Sequence, residues 1–282
     1  MRHLIQYNAC EARSDDAANP EREMAESIRI AYADGIARVT LARPEVRNAF
    51  NAEVIAQVHA AFERLTAADD VRAVVLGGEG SVFCGGADIG WMRDSLELSF
   101  DANAIDAERM SDMFRAIDRC NKPVIGRIHG AALGGGAGLA AVCDIVIASE
   151  ETIFGFTEVK LGIIPAVISP FVLAKIGASH ARALFLTGQR FDAAEAKRIG
   201  LAHEVVAIEA LDAAVDRRLA EIRSAAPTAV GAAKELIGRV LEATYDETRK
   251  ITTEAIAKQR TSDEGQEGLR AFLEHRKPKF AE

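Results

Sequence analysis

The chain has 282 residues, 49% of them hydrophobic, and a formal net charge of −8, enough for one large domain or two small ones with a substantial core. That acidic balance argues against a broad nucleic-acid surface, and no apolar run reaches the roughly 18 to 20 residues a membrane span requires. Cys10, Cys84, Cys120 and Cys143 stand far apart without CxxC spacing. Zinc knuckles and disulfide frameworks are therefore not expected, no metal site is, and a cytoplasmic location is.

Residues 1–26 carry Glu11, Asp15 and Asp16 and no continuous apolar segment, so they read as a mobile extension rather than a presequence. Residues 28–32 and 36–41 alternate in period two around Asp34-Gly35, the pattern of a tight hairpin. A turn-rich link leads to a helix with Asn51 as N-cap and Val54, Ile55, Val58, Phe62 and Leu65 on one stripe. Residues 71–76 predict a buried strand, and 82–89 a second strand running into Gly85-Gly86. Met110, Met113, Phe114 and Ile117 recur at helical spacing.

Residues 123–128 predict another buried strand, which feeds the segment from Gly130 to Asp144 with Gly134, Gly135 and Gly136 in a row. A further strand is expected at 144–148, followed by the run 153–158. Helices dominate from Ser169. Leu211, Val215, Leu219 and Ile222 form one stripe; Ala232, Leu236, Val240 and Leu241 form another, opened by Pro227. The tail ends in a basic cluster, residues 276–280.

The glycine segment is the organising feature. A strand that turns through glycines into a helix leaves peptide N–H groups without intrahelical partners. With the helix dipole behind them they suit a developing negative charge. Gly135 N–H is the candidate donor. Glu158 sits among Ile153, Phe154, Phe156, Val159, Leu161, Ile163 and Ile164, so burial is expected, with a raised pKa suited to proton transfer.

Five ordered motifs resemble the crotonase (enoyl-CoA hydratase/isomerase) superfamily over about residues 27–280. They are Arg43-Pro44 with Asn48-Ala49, the run 83–88, Gly130 to Asp144, residues 154–165, and the tail from Glu267 to Phe280. The resemblance implies an α/β crotonase-type spiral of ββα turns over 27–210. Residues 211–282 would form a C-terminal helical trimerisation region, giving a homotrimer or a hexamer. It further implies an acyl-CoA thioester as substrate, with no separate cofactor; the charge and hydropathy above already speak against a nucleic-acid or membrane partner. Carried over by position, Ala87 and Gly135 are the oxyanion pair and Glu158 the catalytic acid–base. The backbone of Gly85, Gly86, Ala87, Asp88 and Ile89 would meet the adenine end of CoA, and Gly134 joins the CoA-binding set. Arg43, Arg47 and Lys279 are candidates for the CoA phosphates, and Trp91 with Met92 for the acyl pocket or a subunit contact.

The chain departs from two-glutamate hydratases at Gly138, where those enzymes carry a second glutamate. Residues 88–92, 134–139 and 154–171 are similar to bacterial methylglutaconyl-CoA and isohexenylglutaconyl-CoA hydratases of leucine and terpene breakdown, which share that glycine. Hydration of a branched 2-enoyl-CoA is the expected activity. The alternatives are an isomerase using Glu158 alone and a non-catalytic acyl-CoA-binding homologue. A glutamate placed at 138 is expected either to add straight-chain hydration or to find no room. Asp144, Cys84 and His129 are expected to be structural.

Overall fold

A computed structural model describes residues 27–281; the extension expected at 1–26, with Cys10, lies outside the described residues. Strands β1 (Ile28–Ala33) and β2 (Ile36–Leu41) pair antiparallel across Asp34-Gly35, whose φ values are 51° and 73°. Two-residue hairpins favour that doubly left-handed turn because it matches strand twist. Helix α1 (Ala52–Ala67) starts where the Asn51 side chain accepts the Val54 N–H at 2.9 Å, and it buries the expected stripe. Strand β3 (Ala73–Gly78) begins two residues later than expected, pairing Ala73 with Ile36. Arg72 does not join the ladder: its N–H goes to Gly35 O and its guanidinium to the carbonyls of Arg223, Ala225 and Phe280.

The chain continues through α2 (Ile89–Ser95), α3 (Phe100–Arg119), β4 (Val124–Ile128), β5 (Ala131–Leu133), α4 (Gly135–Val142), β6 (Ile145–Ser149) and β7 (Ile153–Gly155). Then come α5 (Ser169–Thr187), broken at Gly177, β8 (Arg190–Asp192), α6 (Ala193–Arg198) and β9 (Glu204–Val206). Helices α7 (Leu211–Ser224), α8 (Pro227–Glu242), α9 (Tyr245–Thr261) and α10 (Asp263–Leu273) complete it.

The main sheet has the order β1-β2-β3-β4-β6-β9, parallel from β2 onward, and a second sheet has the order β5-β7-β8. Strand β4 feeds β5 and then α4; β6 feeds β7 and then α5. This is the expected spiral of ββα turns, with right-handed crossovers the norm for parallel strands. The turn after β3 is the irregular one. Residues 82–89 form no continuous strand, only single bridges from Cys84 to Ala132 and from Ala87 to Phe50. Gly86, at φ 100°, interrupts the ladder.

One core fills the space between the sheets and α1, α3, α4 and α5, with Phe50, Phe62, Phe83, Phe114, Phe154 and Phe156 fully buried. On the other face of the main sheet, Leu211, Ala214, Val215 and Leu219 of α7 cover Ile36, Ala73, Val75, Ile125 and Ile147. Helix α7 is thus part of the sheet's core, although the expected C-terminal region included it. Helices α8 and α9 bury no residue fully, and Ile237, Leu241, Phe272 and Leu273 are all more than 60% exposed.

Candidate active site

Two backbone segments run side by side. Cys84 N–H donates to Ala131 O at 3.0 Å, and Leu133 N–H donates to Cys84 O at 3.1 Å, so Cys84 faces Ala132. Beyond that bridge Gly86 stays beside Leu133, so the segment leading to Ala87 runs along the turn into α4. Gly86 O accepts the Phe50 N–H at 2.7 Å. In a planar trans peptide the next N–H points the opposite way, so Ala87 N–H is turned away from Phe50. The same reasoning aims Gly135. Gly134 O accepts the Gly138 N–H at 3.1 Å inside the helix, so Gly135 N–H points out of the helix's N-terminal end. Among the described residues neither amide donates to a protein acceptor outside the helices.

This approach depends on missing side chains. A Cβ on Gly135 would stand 2.6 Å from the Phe50 ring, and one on Gly86 3.0 Å from Leu133 O. Asp88 finishes the loop: its Oδ1 accepts the Gly90 and Trp91 N–H groups at 2.8 and 3.3 Å, capping α2. Burial alone would raise the Asp88 pKa. Those two amides and the Arg43 guanidinium outweigh burial and hold it below the usual value.

Glu158 opens the 3-10 turn Glu158–Leu161. Its Oε1 lies 3.4 Å from the place a Cβ on Gly134 would occupy, beside the start of α4. Its Oε2 is buried without a hydrogen-bond partner. Desolvation raises its pKa above the usual glutamate value, only partly offset by its own backbone N–H. The surroundings differ from the expectation, though. Phe154 and Phe156 are buried, but Ile153, Leu161, Ile163 and Ile164 face outward at 38, 65, 55 and 71% exposure. The carboxyl lies against the glycine turn, a neighbour distant in sequence.

Gly138 has no free space. A Cβ there would meet Ile168 Cγ2 at 2.3 Å and Phe114 Cζ at 3.2 Å. Phe114 in turn stacks tilted on Phe171 at 5.6 Å. The seat of a second carboxylate is thus an apolar wall. Ile168 was only one letter in the run 166–170, and no periodicity marked it as this neighbour.

The candidate cations separate. Arg43 is engaged: it pairs with Asp88 at 3.1 Å and donates to Ala49 O at 2.8 Å. Its place is to hold the loop. Arg47 is exposed beside Gly85, whose N–H donates to Arg47 O, and it remains a candidate for a phosphate. Lys279 is not brought to the loop by this chain. Its N–H donates to Glu267, and Phe280 O is held by Arg72 at the entry to β3, whereas Ala87 lies beyond that strand's exit. Ile89 is 72% exposed. Trp91 packs on the core with its indole N–H buried and unpartnered.

Three residues take the structural places expected of them. Asp144 accepts from Val124 N–H and Lys234 Nζ, both at 2.7 Å. The Cys84 thiol donates to Asn48 O at 3.2 Å, and burial pushes its pKa up to about 12. His129 Nε2 meets Gly80 O at 2.9 Å. Among the described residues no three His, Cys, Asp or Glu gather as metal ligands, and no helix is long and apolar enough to cross a membrane.

The family model described as enoyl-CoA hydratase/isomerase matches residues 31–282. A relative from Thermus thermophilus that carries the name of an enoyl-CoA hydratase is 34% identical over 249 residues, covering 87% of this chain and 97% of its own. The crystal structure of an enoyl-CoA hydratase from Shewanella pealeana superposes with a TM-score of 0.86 at 35% identity, covering 90% of this chain and 95% of that one. Pseudomonas aeruginosa AtuE superposes with a TM-score of 0.89 at 34% identity, covering 91% and 100%.

Proposed function

Since the chain belongs to the enoyl-CoA hydratase/isomerase family, we propose that it adds water to a branched 2-enoyl-CoA, with Glu158 as its sole acid–base group. The amides of Ala87 and Gly135 are the oxyanion pair. One observation carries the single-acid reading: Ile168 fills the space that a side chain at Gly138 would need.

The substrate carbonyl sits between the two amides. As water adds at C3, Glu158 takes one of its protons and the new C–O bond forms. The C2=C3 electron pair shifts toward the carbonyl, whose oxygen becomes an enolate held by both N–H groups. The enolate then collapses, taking the proton from Glu158 onto C2. Removing one such donor typically costs about 3–4 kcal/mol of barrier stabilisation. No other cofactor takes part, since coenzyme A belongs to the substrate.

A branched acyl group suits the wall of Ile168, Phe114 and Phe171, and residues 154–171 resemble those of methylglutaconyl-CoA hydratases. The exposed apolar residues of α8 and α10 support assembly as a homotrimer or a pair of trimers. Free, buried Cys84, Cys120 and Cys143 support a cytoplasmic setting. A non-catalytic scaffold would leave the buried, unpartnered Glu158 Oε2 as an uncompensated cost.

The same apolar wall favours a second reading. With Ile168 and Phe114 packed where a side chain at 138 would stand, the Glu158 carboxylate would move a proton between two carbons, which is double-bond isomerisation. A panel of branched and linear 2- and 3-enoyl-CoA thioesters separates the two: loss of the 2-enoyl absorbance marks hydration, and its appearance from 3-enoyl substrates marks isomerisation. Glu158→Gln should retain thioester binding and lose turnover by about a hundredfold or more. Full activity in that variant would move the acid elsewhere.

A further inference from the structure

We infer that Lys175 is a positioning residue: from α5 it clamps the C-terminal end of α4 and so sets the aim of the Gly135 amide at that helix's other end. The inference rests on the oxyanion reading above.

Helix α4 has eight residues, all buried, and the sequence GGAGLAAV offers no polar side chain to anchor it. It is about 12 Å long, so a tilt at one end is felt at the other. A helix's last carbonyls have no intrahelical donors, and here the C-cap residue Cys143 meets two of them. Leu139 O accepts from the Cys143 thiol at 3.1 Å, and Ala140 O from Cys143 N–H at 3.3 Å. Immediately beyond, Cys143 O and Asp144 O both accept from Lys175 Nζ, at 2.5 and 3.2 Å. The ammonium is thus placed where the negative end of the helix dipole favours a cation.

Lys175 also ties α4 to the segment that follows Glu158. Ile168, just before α5, presses on Gly138 in the middle of α4, and Lys175, two turns further along α5, holds its end. Helix α4, whose first residue is Gly135, is thereby held by α5 and the residue before it at its middle and at its cap. This placement has a cost, because burial disfavours the charged lysine and the nearby Lys234 ammonium adds to it, while the carboxylates of Asp144 and Asp118 offset part. Lys234 provides a contrast in the same cluster. It bonds the Asp144 carboxylate and Lys122 O, and not the carbonyl of Cys143, the residue that caps α4.

The test is vibrational difference spectroscopy of a bound, unreactive acyl-CoA thioester, read together with steady-state kinetics. In the parent protein the thioester C=O stretch should move to lower frequency on binding. Lys175→Met should shrink that shift and lower kcat by about ten- to a hundredfold, with KM within about threefold. Lys175→Arg should restore both, and Lys234→Met should lower stability while leaving the C=O shift intact. If Lys175→Met does not fold, Lys175→Gln is read by the same criterion. A full shift in the Met or Gln variant, or an equal loss in Lys234→Met, overturns the inference. Absence of any shift in the parent protein overturns the oxyanion reading itself.

Discussion

Ile168 Cγ2 stands 2.3 Å from where a Cβ on Gly138 would be. That one contact separates this site from a two-carboxylate hydratase, and it resolves the expectation at position 138 in favour of no room. Even Gly138→Ala should destabilise by about 1–3 kcal/mol through overpacking, and Gly138→Glu should yield little folded protein. Gly138→Glu with Ile168→Ala should recover folding, because the second change vacates the volume the first requires. Thermal melts of the four proteins check this; a stable single Gly138→Glu variant would show that the wall yields.

Glu158 should oppose stability in proportion to its ionisation. Its folded pKa is raised above 4.5 by desolvation, so the folded state holds its proton more tightly than the unfolded state does. The sign follows: ionised Glu158 costs stability above the unfolded value, and the cost vanishes below it. Glu158→Gln should therefore melt higher than the parent near pH 7, with the gap closing as pH falls toward 4.5. An unchanged gap across that range would mean that the carboxylate is not desolvated in solution.

The Arg43–Asp88 pair carries the loop geometry. Asp88→Ala removes the cap of α2 and frees Arg43, and caps of this kind are worth about 0.5–2 kcal/mol. The thioester KM should rise, because the Ala87 segment loses its anchor. Since the Asp88 pKa is lowered in the fold, its contribution is present above about 3.8 and is lost as pH falls through the folded value. Equal KM values for parent and variant would leave Asp88 a purely local cap.

Asp144 joins β4, β6 and α8 by accepting from Val124 N–H and Lys234. Asp144→Ala strands both donors in a half-buried setting, and loss of one partner of a buried pair typically costs about 3–5 kcal/mol. With roughly a third of the Asp144 side chain open to solvent (31%), the lower end of that range is expected in denaturant melts. Asp144→Asn should recover part of it, since the amide oxygen still accepts one bond.

Local rules were enough to read much of this chain. The Asp34-Gly35 hairpin, the Asn51 cap, the α1 stripe and the strand–glycine–helix passage at 123–142 follow from periodicity, turn chemistry and capping, each of which acts within a few residues. The family motifs followed from residue order alone, and with them Ala87, Gly135 and Glu158 as candidates. What the sequence could not determine depends on neighbours far apart in the chain. Glu158 lies against the glycine turn, while Ile153, Leu161, Ile163 and Ile164 beside it face outward. Arg43 is engaged by Asp88, and Lys279 ends at the wrong end of β3. Ile168 closes the seat at Gly138 across thirty positions. Propensity acts through adjacent bonds, whereas volume and charge act through space, so only the folded chain decides which of its own side chains occupies a given cavity.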